Sequence, residues 1–286
     1  MKQLMLVIGA SGQLGEAMVR ELGTRHEIVA WSRAELDLTA PDAVAGTIGS
    51  LSPDVILNCA AYNDVDGAER APEQALAVNA WAVRTLARAA GDLDATFVHF
   101  STDFVFDGAS DRPYREDDAP NPRGTYAVSK LVGEWFAAEV PRHYILRVES
   151  LFGGVRARSS VDKMLAALRA GEEVRAFADR TVSPSYVEDV VQATAALVEG
   201  GHAWGLYHCV NTGWTTWATL ARELAGLVGR ADPRITEVPM AESGLVAPRP
   251  RFAALSNAKL ALAGIEMPTW QDALARHVSR APPGIA

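Results

Sequence analysis

The chain has 286 residues, 49% of them hydrophobic, which is enough to build a full core and excludes a disordered protein. Its formal net charge of -8 excludes a general affinity for nucleic acid or for an anionic membrane, so a ligand phosphate must be met by local groups such as a helix N-terminus or a few arginines. Two cysteines, Cys59 and Cys209, lie in apolar runs that read as strands and are expected to be buried and reduced; without a CxxC or a Cys/His cluster, no metal site is expected.

From Met1-Lys2 the chain passes directly into an apolar strand, with neither the long apolar region of a signal peptide nor a bilayer-length segment, and a cytoplasmic protein is expected. That first strand is Leu4-Met5-Leu6-Val7-Ile8. It runs into Gly9-Ala10-Ser11-Gly12-Gln13-Leu14-Gly15, after which Leu14, Met18 and Leu22 repeat at helical spacing. A glycine pattern between a strand and a helix is the setting of a dinucleotide site: the glycines let the backbone approach a pyrophosphate, and the helix N-terminus supplies N–H groups to it. The pattern here is G-x-x-G-x-x-G rather than G-x-G-x-x-G.

The second strand, Glu27-Ile28-Val29-Ala30-Trp31, ends in Ser32-Arg33, where an NAD site commonly carries an acid for the ribose hydroxyls. An arginine there pairs with a 2′-phosphate that an acid would repel, which favours NADPH, with Ser32 adding a neutral bond. The competing reading has Asp37 take the ribose hydroxyls, which would favour NADH. Asp37-Leu38, expected to follow a short third strand, is assigned to the adenine side. Thr39-Ala40-Pro41-Asp42 reads as a helix start with a capping hydroxyl.

Asp54 to Ala61 reads as the next strand, whose small C-terminal residues let a cofactor lie flat. A single helix is expected over about 73–90, with Asn79 on its apolar stripe, either bonding a backbone bend or partly exposed. Thr96-Phe97-Val98-His99-Phe100-Ser101 is a strand ending at Ser101-Thr102-Asp103, in the crevice where parallel sheets bind ligands; His99, mid-strand, is expected in the core. Residues 108–124, rich in Pro, Asp and Gly, form a surface loop of the kind that covers a site. Strands alternating with helices argue for a doubly wound parallel α/β sheet of Rossmann type over residues 1–150.

After about Ser150 the alternation breaks. Helices are expected over 159–169, 187–198, 216–228 and 271–278, an irregular segment over 177–186, a strand over 206–210, and a frayed tail at Ala281-Pro282-Pro283-Gly284. Residues 151–286 therefore form mainly a smaller substrate-binding lobe, with 187–205 returning to the first domain.

Tyr126 and Lys130 stand four residues apart, so on a helix both side chains share one face. A cation beside a phenol favours the phenolate and lowers its pKa, so that the phenol exchanges a proton with a substrate oxygen near neutral pH. Alone the pair reads more readily as an exposed helix pair; its context reverses that. Arg249 and Arg251 flank Pro250 in a segment expected to face the crevice, where they would grip a pyrophosphate through their planar donors or else be a solvated pair.

Taken together, the glycine turn, Asn58-Cys59-Ala60-Ala61-Tyr62, Val65-Asp66 with Ala68-Glu69, Ser101 to Gly108, Tyr126 to Lys130, Ser183 to Val187, and Arg249-Pro250-Arg251 with Leu255 to Leu260 resemble the extended short-chain dehydrogenase/reductases, and within them the dTDP-4-dehydrorhamnose reductases. The resemblance implies reduction of the 4-keto group of a nucleotide-activated deoxysugar by NADPH or NADH. Thr102, Tyr126 and Lys130 would be catalytic: Tyr126 protonates the ketone oxygen, Thr102 hydrogen-bonds it, and Lys130 binds the nicotinamide ribose and holds down the tyrosine pKa. Gly9, Ser11, Gly12, Gln13, Leu14, Gly15, Ser32, Arg33, Asp37, Leu38, Ala60, Ala61, Tyr62 and Phe100 would line the cofactor, and Asp103 would touch the sugar.

Two departures fall near the sugar: Ser150 where the family usually has a tryptophan, and Phe104 where it usually has a tyrosine. Some members use magnesium for dimerisation, but no acidic cluster here demands it, and a homodimer is a family-level expectation only. A 4,6-dehydratase needs an Asp-Glu pair after the threonine, and Asp103-Phe104 lacks the second acid. A 4-epimerase uses the same three residues, and the regulatory β subunit of methionine adenosyltransferase is a non-catalytic relative; both remain as alternatives.

Overall fold

Short apolar runs become the strands of one six-stranded parallel sheet: β1 (Leu4–Ile8), β2 (Glu27–Trp31), β3 (Val55–Asn58), β4 (Thr96–Thr102), β5 (His143–Val148) and, much later in the chain, Gly205–His208. The structure is a computed structural model that describes residues 2–156 and 158–280; the expected tail at Ala281-Pro282-Pro283-Gly284 lies outside them. The helices of this half are α1 (Gln13–Leu22), α2 (Pro41–Leu51), α3 (Val65–Arg70), α4 (Pro72–Leu76), α5 (Ala82–Asp92) and α6 (Thr125–Ala137).

The small strands β6 (Leu151–Phe152), β7 (Val174–Phe177), β8 (Thr181–Val182) and β9 (Ser185–Tyr186) come next, so that Gly205–His208 is β10, followed by β11 (Thr215–Thr216) and β12 (Ile235–Val238). The remaining helices are α7 (Ser160–Ala170), α8 (Val187–Gly200), α9 (Trp217–Leu227), α10 (Ala258–Leu262) and α11 (Trp270–Arg280). The sheet order is β10-β5-β4-β3-β1-β2. Register brings Ile8 beside Asn58, Asn58 beside His99 and Thr102 beside Val148, so the C-terminal strand ends form one rim.

Alternation along β1 explains why both faces are covered. Met5 and Val7 pack with Leu14 and Met18 of α1 and with Val187, Val190 and Val191 of α8, whereas Leu6 and Ile8 pack with Val44 and Ile48 of α2 and with Val83 and Leu86 of α5. Helix α8 and strand β10 thus complete the first sheet from beyond residue 186. A separate core of Leu165, Leu168, Val182, Trp217, Leu220, Leu224, Trp270 and Leu274 holds the other lobe. Among the described residues no helix is long and apolar enough to cross a membrane.

Several local expectations are corrected. The helix expected over 73–90 is interrupted by a π-helical turn at Ala77–Trp81 between α4 and α5. No strand lies between β2 and Asp37-Leu38, and Thr39 does not cap α2; its hydroxyl bonds Asp37 Oδ1 instead, while Pro41 occupies the first turn. The segment 177–186 contains β8 and β9 rather than being irregular. Strand β12, which pairs in parallel with β7, was not foreseen because its burial is only partial. Cys59 and Cys209 each lie one residue beyond a strand and are free thiols; Cys209 is buried as expected, and burial pushes its pKa up, whereas Cys59 is only half-buried because it borders the groove at the strand ends.

Candidate active site

The glycine turn leaves β1 at Gly9, which has φ of +78° and packs so closely on the next strand that a Cβ would lie 2.7 Å from the Ala60 nitrogen. A side chain on Gly15 would likewise run into the Gly9 carbonyl. Helix α1 begins after Gly12 with no side-chain cap, so its first N–H groups remain available to an anion.

Around this turn lies a cavity of about 250 Å³, lined by Gly9, Ser11, Gly12, Ser32, Arg33, Asp37, Leu38, Ala60 and Ala61, and also by Leu36, Thr39, Cys59, Asn63 and Val78, which sequence reasoning did not single out. It shares Gly12, Cys59, Ala60, Ala61 and Asn63 with a second cavity of about 310 Å³, lined further by Gln13, Leu14, Phe100, Thr102, Asp103, Phe104, Tyr126, Lys130 and Ser150. One groove therefore follows the C-terminal rim of the sheet from β2 to β5, where parallel sheets bind ligands. Gly15 and Tyr62 do not line either cavity; Gly15 backs Gly9, and the Tyr62 backbone N–H and C=O are both bonded by Asn79.

At the β2 end, Ser32 is already engaged. Its N–H donates to Glu35 Oε2 at 2.7 Å and its hydroxyl bonds the same oxygen. Glu35 was missed, although Ser32-Arg33-Ala34-Glu35 has the spacing of a capping box. Asp37 accepts the Thr39 N–H at 2.9 Å and its hydroxyl at 2.7 Å, and these bonds hold its carboxyl below the ordinary range.

Helix α6 carries Tyr126 and Lys130 on one face, as their spacing predicts. Its start has no side-chain cap of its own; the carboxylate of Glu69, from α3, accepts the Thr125 N–H at 2.7 Å and hydroxyl at 3.1 Å, which favours the positive end of the helix. The π-helical turn brings Asn79 against the same helix, where Nδ2 donates to Ser129 Oγ at 3.0 Å while Oδ1 accepts the Tyr62 N–H at 2.8 Å. Asn79 thus braces the helix between Tyr126 and Lys130 and fixes the bend after β3. His99 is a core residue, fully buried, with Nδ1 3.1 Å from Asn58 Nδ2.

One electrostatic expectation is corrected. Lys130 does not lower the Tyr126 pKa here: its ammonium donates to the Phe100 carbonyl at 2.6 Å, and burial brings its own pKa down to about 8. Burial, followed by the charge of Asp103, pushes Tyr126 up, with the Thr102 hydroxyl opposing. The phenol is accordingly protonated at neutral pH, the form that gives a proton to a developing alkoxide. Thr102 Oγ1 donates to Asp103 Oδ1 at 2.9 Å and accepts the Phe104 N–H at 3.2 Å. Ser150 faces this cavity with φ of +47°, a conformation that costs energy for any residue with a side chain and recurs at functional sites.

Arg249 and Arg251 line a different, more open groove, together with Asp107, Gly108, Arg123, Asp179 and Thr181. Arg249 is half committed: its guanidinium donates to Asp66 Oδ1 and to the Ala247 carbonyl, both at 2.7 Å. Arg251 is exposed.

The model of the RmlD substrate binding domain matches residues 1–282. A dTDP-4-dehydrorhamnose reductase of Streptomyces griseus is 36% identical, the match covering 94% of this chain and 91% of that protein; one of Burkholderia thailandensis is 34% identical, covering 94% and 96%. Among solved structures, a dTDP-4-dehydrorhamnose reductase of Bacillus anthracis in complex with NADP superposes with a TM-score of 0.93 at 31% identity, covering 98% of this chain and all of the other.

Proposed function

The chain belongs to the RmlD substrate binding domain family, with dTDP-4-dehydrorhamnose reductases as relatives, and from that premise we propose that it is an NADPH-dependent oxidoreductase that reduces the 4-keto group of a nucleotide-activated deoxysugar. The observation that carries this reading is the single groove joining the glycine turn to Tyr126, Lys130 and Thr102. A neutral phenol at its far end supports proton donation in the reducing direction.

When bound, the cofactor supplies a hydride to the carbonyl carbon; the chain's own residues do the rest. The uncapped start of α1 and the close backbone at Gly9 receive a pyrophosphate. Arg33 would hold the 2′-phosphate, and Asp37 and Leu38 would line the adenine side. Tyr126 gives its proton to the ketone oxygen, Thr102 hydrogen-bonds that oxygen, and Lys130, held by the Phe100 carbonyl, would bind a ribose hydroxyl of the cofactor. Asp103 and Ser150 border the sugar. Arg249 and Arg251 are assigned to the diphosphate of the sugar nucleotide, with Asp66 holding Arg249 ready. Residues 1–150, completed by α8 and β10, form the cofactor domain, and most of the remainder the substrate lobe. A cytoplasmic location fits this activity.

The test is NADPH oxidation with a panel of nucleotide-linked 4-keto sugars. Stoichiometric oxidation with dTDP-4-dehydrorhamnose or a close analogue is expected. Interconversion of 4-epimers without net oxidation would assign an epimerase, and no turnover with tight co-purification of another enzyme would assign a regulatory subunit.

A further inference from the structure

Between the cavity that holds Tyr126 and the open groove of Arg249 and Arg251 stands a guanidinium to which the reductase reading gives no role. Arg180 is half-buried, its side chain 12% exposed. It lies over the Phe104 ring at 5.3 Å, and Phe104 meets the Tyr126 ring edge-on at 5.5 Å. Asp103 and Phe104 line the Tyr126 cavity, while Asp179 and Thr181, on either side of Arg180 in the chain, line the open groove. Backbone bonds fix that placement. The Thr181 N–H donates to the Arg251 carbonyl at 2.7 Å, the Ala253 N–H to the Thr181 carbonyl at 2.9 Å, and the Phe252 N–H to the Gly108 carbonyl at 3.3 Å. Arg180 is thus held beside Arg251 on one hand and beside the reaction cavity on the other.

A guanidinium carries several N–H donors in a planar fork and is always charged. Among the described residues this one has no hydrogen-bond acceptor: Nε is buried without a partner, and the single ion pair, Nη2 to Asp103 Oδ2, is 4.0 Å long and beyond hydrogen-bond reach. Asp103 is anchored through its other oxygen, where Oδ1 accepts the Thr102 hydroxyl at 2.9 Å. A largely desolvated cation without acceptors is costly, and an anion from outside the chain removes that cost. The neighbouring arginines are placed differently: Arg249 is bonded to Asp66 and the Ala247 carbonyl, Arg123 lies 3.5 Å from Asp107, and Arg251 is exposed. A substrate with its keto oxygen at Tyr126 and its diphosphate at the groove arginines passes Arg180 where the sugar joins the phosphate. We propose that Arg180 is a substrate-binding residue that grips the sugar-side phosphate of the sugar nucleotide through its planar fork, held in place by the Phe104 ring. The assignment rests on the reductase reading of the Tyr126 cavity.

The test is calorimetric titration of the intact protein with dTMP, dTDP, dTDP-glucose and NADPH, in wild type, Arg180→Met and Arg180→Lys. The terminal phosphate of dTDP is the sugar-side one, and dTMP lacks it. Wild type should therefore bind dTDP more tightly than dTMP. Arg180→Met should weaken dTDP and dTDP-glucose about tenfold to a hundredfold, the worth of a charged hydrogen bond, and leave dTMP and NADPH unchanged. Arg180→Lys keeps a cation beside Asp103 but loses the fork, and should recover only part of that loss. A role confined to counter-charge for Asp103 has a different signature: lysine restores binding in full, and methionine lowers the melting temperature without separating dTDP from dTMP. That signature, equal losses for dTDP and dTMP, or no loss at all, overturns the proposal, and Arg180→Lys decides alone if Arg180→Met does not fold. Wild-type protein that binds NADPH but no thymidine nucleotide would instead sink the reductase reading, and the proposal with it.

Discussion

Removing Glu134 tests how the helix that carries Tyr126 and Lys130 is held. Arg147 on β5 donates to its carboxylate through Nε at 2.8 Å and Nη2 at 2.7 Å, and Ser101 adds a third bond. The two side chains are only 2% and 6% exposed. Glu134→Ala leaves the guanidinium buried without its counter-charge. His208, 3.4 Å away, cannot substitute: burial and the arginine itself hold its pKa at about 3, so it is neutral, and an imidazole supplies no negative charge. Breaking such a pair from one side costs about 3–5 kcal/mol, so the melting temperature should fall by roughly 6–20 °C at about 2–4 °C per kcal/mol. Glu134 also lies one turn beyond Lys130, and its charge opposes the burial that lowers the lysine pKa. The variant should therefore neutralise Lys130 at lower pH as well. Glu134→Leu with Arg147→Met replaces both charges by apolar volume and should recover most of the loss. The assay is urea unfolding of Glu134→Ala, and of Glu134→Leu, Arg147→Met and their combination as a mutant cycle. A loss under 1 kcal/mol for Glu134→Ala, or a double variant no more stable than the singles, would refute the reasoning.

Arg33→Ala should lower kcat/KM for NADPH about tenfold to a hundredfold while leaving NADH nearly untouched, because a charged bond to the 2′-phosphate is worth roughly 1.5–3 kcal/mol; an unchanged NADPH/NADH ratio would remove Arg33 from that role. Glu35→Gln should shift the same ratio toward NADPH, since a carboxylate on Ser32 opposes a phosphate there, and a shift toward NADH would contradict it. Lys130→Met should weaken both turnover and NADPH binding measured by fluorescence; loss of only one means the lysine has a single task. Arg251→Ala should raise the sugar-nucleotide KM far more than the cofactor KM, whereas equal effects would place Arg251 away from the diphosphate.

The alternation of apolar strands and helices made the parallel sheet legible, because strands buried on both faces leave continuous apolar runs such as Leu4–Ile8 and Val55–Asn58. The glycine turn and the spacing of Tyr126 to Lys130 were legible for the same reason: each is local chemistry on one element. What stayed hidden is non-local. Glu69 at the start of α6, Asn79 bracing Ser129, and Arg147 with Glu134 join elements far apart in the chain, and no spacing announces them. The π-helical turn is a small change in winding that leaves the apolar stripe readable as one helix. The Tyr126 pKa was misread because the neighbour in sequence, Lys130, is a visible cation, whereas burial and Asp103 act through the folded cavity. Glu149, buried, and Arg180, half-buried, lie beside the site, and no spacing in the sequence marks them.

The central claim is that Tyr126 supplies the proton as a hydride reaches the keto carbon. Its most direct test is single-turnover oxidation of bound NADPH by dTDP-4-dehydrorhamnose, followed at 340 nm in wild type and Tyr126→Phe, with NADPH affinity measured alongside. Loss of one general acid lowers the rate by about 10²–10⁴-fold while cofactor binding is unchanged. A Tyr126→Phe rate within threefold of wild type would contradict the account.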